Sequence, residues 1–93
     1  RAFEEHLIRC VQSEGQQWMV FADVCRVLGY KNPQHQAKYL REEEKCKLDI
    51  ALKNTLVNCV NRNGLRRVCL LSAKEVGRRL SDWADREVFV ERR

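Results

Sequence analysis

The segment from Trp18 to Leu40, WMVFADVCRVLGYKNPQHQAKYL, constrains the fold more than any other part of the chain. Phe21, Val24, Cys25 and Leu28 fall at i, i+3, i+4 and i+7, the spacing of one buried helical face. Gly29 ends that helix, because glycine takes the left-handed conformation that a helix C-terminus often needs. Asn32 is placed to cap a second helix, and Pro33 suits its first position, where no N–H is required. A strand therefore leads into two short helices joined by a tight turn rich in Lys, Asn, Gln and His. Such a pair is a common way of presenting polar side chains to DNA.

The flanking sequence predicts hairpins and one more helical region. His6 to Val11 reads as a strand, Ser13-Glu14-Gly15 as its turn, and Gln17 to Phe21 as the returning strand. Leu56 to Val60 and Leu65 to Leu71 are apolar runs on either side of Asn61-Arg62-Asn63-Gly64. Asn-Gly is a strong hairpin signal, so a second hairpin is expected here, with Arg66 and Arg67 on opposite faces. Ser72-Ala73-Lys74-Glu75 reads as a capping box that opens a helix with Ala73, Val76, Leu80 and Trp83 at buried spacing. Ser81 is expected to break it and cap a short final helix with Trp83 and Val88. Residues 41–54 read as a charged loop with some strand, in which Glu42, Glu43 and Glu44 form a solvated acidic run. Trp18 and Trp83 are expected to anchor the core. The fold class is α+β, a small antiparallel sheet of hairpins with three to four short helices. It is expected to form a single domain over residues 1–93, and the opening Arg1 is read as marking a fragment of a longer protein.

Composition narrows the function classes. No apolar run approaches the roughly 18 residues of a membrane span, and no secretory signal pattern is present, so no membrane partner is expected. Five cysteines (Cys10, Cys25, Cys46, Cys59 and Cys69) form no CxxC pair and are odd in number. Four of them sit inside apolar patterns, where a reduced Cys packs as a small hydrophobe, and the set is read as that of an intracellular protein. His6 and His35 lie at metal-ligand spacing from no cysteine, and neither a metal nor a cofactor is expected. An enzyme is not expected, since there is no Gly-rich phosphate loop and no HExxH. Cys25 with His35 is the conceivable nucleophile and base, but Cys25 sits on the buried helical face, where packing is its role.

The net charge of +5 is uneven along the chain. Residues 22–41 hold Arg26, Lys31, Lys38 and Arg41 against Asp23, a net +3. Residues 54–80 hold Arg62, Arg66, Arg67, Lys74, Arg78 and Arg79 against Glu75, a net +5. The remaining segments each carry −1. Two basic regions suit a polyanion better than an even distribution does.

The run Trp18, Phe21, Asp23-Val24-Cys25, Leu28-Gly29-Tyr30, Asn32-Pro33 and Ala37 resembles the amino-terminal domain of baculovirus repeated-ORF proteins, the Bro-N domain. Related domains occur in insect DNA viruses and prophage antirepressors. The resemblance continues through Arg67-Val68-Cys69-Leu70-Leu71-Ser72, where it implies a strand leading into a helix. It ends near Trp83 and Glu87-Val88, although Phe89-Val90 replaces the family's closing Leu-Pro. It implies a DNA-binding domain of a viral regulatory protein, working in the host nucleus or cytoplasm, that contacts single- or double-stranded DNA without strong sequence preference. The residues placed to do so are Lys31, Asn32, Gln34, His35, Lys38 and Arg41, with a second surface of Arg62, Arg66, Arg78 and Arg79. Lys and Arg would meet phosphates, and Asn32 has the competing task of capping a helix. The alternative is a protein-interaction module of antirepressor type, with a protein partner or a homodimer formed through exposed sheet edges.

Overall fold

The computed structural model describes residues 1–50 and 54–90. Two short strands, β1 (Ala2–Phe3) and β2 (His6–Leu7), pair as a ribbon beside a four-stranded antiparallel sheet. That sheet contains β3 (Cys10–Ser13), β4 (Gln16–Val20), β5 (Lys45–Leu48) and β6 (Val57–Val60), in the order β3-β4-β6-β5. The helices are α1 (Phe21–Leu28), α2 (Pro33–Gln36), α3 (Arg62–Ser72) and α4 (Glu75–Glu87). Short 3-10 turns follow at Ala37–Tyr39 and Glu42–Glu44. The α+β class with its antiparallel sheet is as the sequence predicts.

Alternation along the strands gives the sheet two apolar faces. Met19 and Val60, paired in register, join Phe21, Val24, Leu28, Leu65 and Leu80 in the main core under the helices. Trp18, Val20 and Cys59 point to the opposite face with Val11, Cys46 and Leu48. Both tryptophans pack as expected: Trp18 is buried and donates its indole N–H to the Ser13 carbonyl at 3.4 Å. Trp83 lies half-buried against Phe3, ring centroids 5.4 Å apart.

The predicted first helix is present from Phe21, and Gly29 closes it at φ 82° with its N–H on the Arg26 carbonyl. What holds its outer flank is a buried carboxylate. Asp23 accepts the Arg9 backbone N–H at 2.9 Å, Arg9 Nε at 2.9 Å and Nη2 at 3.0 Å, and pairs with Arg26 Nη1 at 3.2 Å. These contacts explain why His6 to Val11 is not one strand. The chain turns at Ile8 and Arg9, burying the first and delivering the second to Asp23.

The second predicted hairpin is corrected. Leu56 to Val60 does contain a strand, but Leu65 to Leu71 lies within helix α3. Leu65, Val68 and Cys69 are buried at i, i+3 and i+4 while Leu70 and Leu71 are exposed, which is helical rather than alternating burial. Asn61 is the helix cap, its side chain accepting the Gly64 N–H at 3.0 Å, so the Asn-rich stretch starts a helix instead of turning a hairpin. Gly64 serves close packing: a Cβ there would lie 2.7 Å from the Glu44 carbonyl oxygen. The strand implied by the resemblance over Arg67 to Leu71 is corrected for the same reason. Arg66 and Arg67 consequently do not stand on opposite faces of a strand.

The capping box is likewise displaced. Ser72 ends α3, donating its hydroxyl to the Cys69 carbonyl at 2.7 Å, and Lys74 is the cap residue of α4. Ser81 breaks nothing, since α4 runs unbroken to Glu87. The acidic run is not wholly solvated either: Glu44 is buried, held by Arg67 Nε at 2.8 Å and Nη2 at 2.9 Å. Of the stretch read as charged loop with some strand, Lys45–Leu48 is strand, and residues 51–53 lie outside the described residues.

The α3–α4 crossing depends on Gly77. A Cβ there would sit 2.7 Å from Ser72 Oγ and 2.8 Å from the Cys69 carbonyl oxygen. In an open helix Gly→Ala stabilises by about 1 kcal/mol. Here the backbone contact reverses the sign, and Gly77→Ala is expected to cost about 1–3 kcal/mol, read as a lower Tm by circular dichroism.

Candidate nucleic-acid interface

Between the end of α1 and the start of β5 the chain runs along the surface with most of its polar side chains outward, Glu44 excepted. Lys31 follows the Gly29 turn and is exposed. Asn32 caps α2 as predicted, its Oδ1 accepting the His35 N–H at 3.3 Å, and Pro33 takes the first helical position. Asn32 thus spends its carbonyl on the cap. Gln34, His35 and Lys38 are exposed, while Leu40 is buried beneath them and anchors the segment. Arg41 is exposed at the entry to the Glu42–Glu44 turn. The second helix is only four residues long before it tightens into a 3-10 turn, so contacts from Gln34 and His35 come from their side chains and not from a helix dipole.

Neighbouring elements extend this surface. His35 and Tyr39 stand edge to face with ring centroids 6.2 Å apart, and Tyr39 is half exposed. Lys45 Nζ reaches the Ala37 carbonyl at 3.5 Å and Glu42 at 3.7 Å, tying β5 to the turn above it. Lys47, two residues on and on the same strand face, is exposed. A groove of about 410 Å³ lies between the segment and the sheet, with Gln34, Lys45, Lys47 and Asn58 on its walls and Phe21 and Leu40 among its apolar lining. The sequence reading passed over Lys47. The alternation of Lys45-Cys46-Lys47-Leu48 was the available signal, since a strand there puts both lysines on one face.

The electrostatics separate the two predicted surfaces. Among the described residues, Lys31, Lys38, Arg41 and Lys47 form no ion pair. The second surface is different. Arg62 and Arg66, one turn apart on α3, both bind Asp85, at 2.9 and 3.0 Å. Arg79 binds Glu4 at 2.8 Å, and Arg78 pairs with Glu75 and, at 3.4 Å, with Asp82. Lys74 donates to the Leu28 carbonyl at 2.9 Å. Burial pushes the Asp85 carboxyl upward, yet Arg66 and Arg62 outweigh it and hold it below the usual range. The Arg79 hydrogen bond lowers Glu4 in the same way.

The cysteines are all free thiols. Burial pushes Cys25 and Cys59 to about 11 and Cys69 to about 12. Cys25 is fully buried and protonated at neutral pH, which agrees with a packing role. Among the described residues no His, Cys, Asp and Glu cluster is arranged to hold a metal ion, and no helix is long and apolar enough to cross a membrane.

Residues 7–90, nearly the whole chain, match the BRO family, N-terminal domain. The chain belongs to this family. Bro-N domains are in general DNA-binding domains of viral and phage regulatory proteins, and the family is not one of enzymes. No curated protein and no solved structure matches the chain. The family match spans α1 and α2, where the specific resemblance lies, and also the β5–α4 half of this Bro-N domain, where two of the sequence-predicted elements are corrected.

Proposed function

We propose that this Bro-N domain binds DNA through the surface running from Lys31 to Lys47, as part of a viral regulatory protein acting inside the host cell. Lys31, Lys38, Arg41 and Lys47 meet phosphates, and Gln34 and His35 add polar contacts beside them. The observation that carries this reading is that these four cations are exposed and form no ion pair among the described residues, whereas Arg62, Arg66, Arg78 and Arg79 are engaged by carboxylates. A phosphate approaching the second group competes with an existing partner, so that surface is the weaker of the two. Binding is driven by counterion release and has little sequence preference, since α2, the helix on this surface, is only four residues long and presents few side chains to base edges.

The test is fluorescence anisotropy of a labelled random-sequence duplex, titrated at several salt concentrations. Four phosphate contacts give a slope of log K against log salt of about −3.6, at about −0.9 per contact. A matched single strand with the same contacts gives a shallower slope, about −2.8. Absence of binding at low salt would overturn the reading and direct attention to a protein partner.

A further inference from the structure

Helix α3 has an outward apolar ridge that phosphate contact does not use, although Arg41, one of the proposed phosphate contacts, borders it. Leu70 is 81% exposed and Leu71 52%, and Leu70 is the most exposed large apolar side chain among the described residues. Leu70 stands as a ridge between two depressions, lining both. One, of about 560 Å³, lies between α3 and α4, and the other, of about 380 Å³, lies between α3 and the Glu42–Glu44 turn.

The charges around this ridge are balanced. The wider depression is lined by three cationic and three anionic side chains and the narrower by three and two, with Arg66 common to both. The rim therefore holds five of each sign and is neutral, in a chain whose net charge is +5. Much of it is paired internally, Arg66 with Asp85 at 3.0 Å and Arg67 with Glu44 at 2.8 Å. A strongly acidic or strongly basic partner gains nothing from such a rim. A second copy does, because two domains of like net charge repel little where their facing surfaces are neutral, and there the apolar ridge can leave water.

We propose that this face joins two copies of the chain in a two-fold dimer, with Leu70 of each copy seated in the α3–α4 depression of the other. A two-fold contact presents the same patch from both sides, and a ridge beside a depression is a shape that complements itself under that symmetry. The charges of the rim, largely paired within each copy, then meet without net repulsion. This places self-association on α3, away from the sheet edges, where Lys45 and Lys47 on β5 would oppose a second copy. The inference does not rest on the DNA reading, although Arg41 borders both surfaces.

Sedimentation equilibrium of the 93-residue chain, in reductant and from micromolar to millimolar concentration, tests it. The wild-type chain is expected to shift from monomer to dimer across that range. Leu70→Glu is expected to weaken the dimer at least tenfold while leaving the circular dichroism melt unchanged, because the side chain is exposed. Leu7→Glu, at another highly exposed leucine, on β2, is expected to leave the dimer intact. A wild-type chain that stays monomeric throughout would overturn the proposal. So would a Leu70→Glu variant that dimerises normally, or equal loss in both variants, which would mark general stickiness.

Discussion

Lys38→Glu together with Arg41→Glu is expected to lower affinity for a random-sequence duplex by about a hundredfold at about 0.1 M salt, since each lost phosphate contact is worth about tenfold there. The slope of log K against log salt should become shallower by about 1.8 for the two contacts. Folding should be largely retained, because both side chains are exposed, Leu40 between them keeps its buried place, and Arg41 is a lesser influence on buried Glu44 than Arg67 is. Arg78→Glu with Arg79→Glu carries the same change in net charge and serves as the comparison. Those two guanidiniums already face Glu75, Asp82 and Glu4, so their loss should change the slope much less. Equal losses in the two double variants would mean that DNA responds to total charge, and the Lys31 to Lys47 surface would lose its special standing.

Asp23→Asn is expected to destabilise the fold by about 2–3 kcal/mol, the cost of leaving donors without their charged acceptor at a buried site. For a domain of this size that is a fall of roughly 10–20 °C in Tm. The amide can still accept through one oxygen, but its NH₂ replaces an oxygen that now receives Arg9 or Arg26. The figure stays below that for a fully buried pair because the Arg9 side chain is half exposed and can be rehydrated. Acid titration gives an independent signature. Burial pushes the Asp23 carboxyl upward, but the Arg9 hydrogen bonds and the charges of Arg9 and Arg26 more than offset this, and its pKa in the folded state lies below the ordinary value. A lowered folded pKa means stability that is complete above the unfolded value of about 3.9 and is lost as pH falls through the folded value. The wild-type melting temperature should therefore drop more steeply below about pH 4 than that of Asp23→Asn. Parallel acid limbs in the two proteins would show that Asp23 contributes nothing to the linkage.

The parts of this fold that were legible in the sequence are those with several local signals in agreement. Helix α1 had an apolar face at helical spacing and a terminal Gly29, and α2 had Asn32 before Pro33; both appear where expected. Over Asn61 to Leu71 the local signals conflict. Asn63-Gly64 favours a tight turn, while Leu65, Val68 and Cys69 also satisfy a helical period, and short apolar runs do not distinguish the two. Tertiary contact decides: Gly64 lies against the Glu44 backbone, and Asn61 caps the helix. The candidate site was legible as a list of cations but not as a ranking. Residues 54–80 carry the larger formal charge, yet the carboxylates that occupy it come from Glu4, Glu44, Asp82 and Asp85 as well as Glu75, mostly far away in sequence. No segment sum can show that. Asp23 and Glu44 read as ordinary acidic residues because their burial is created by partners elsewhere in the chain, Arg9 and Arg67.

The pairing of β4 with β6 bears on the order in which the molecule assembles. Met19 meets Val60 across a long stretch of chain, and every residue proposed to touch DNA lies inside the loop that this pairing closes. The β3–β4 hairpin and the α3–α4 pair are each built from sequence neighbours, and such local units form quickly. The stretch from Lys31 to Leu48 lies against α1, α3 and β6, and so takes its place once those units have met. The segment proposed to bind DNA is therefore expected to form late in folding, and a nascent or partly unfolded chain would meet a polyanion without it.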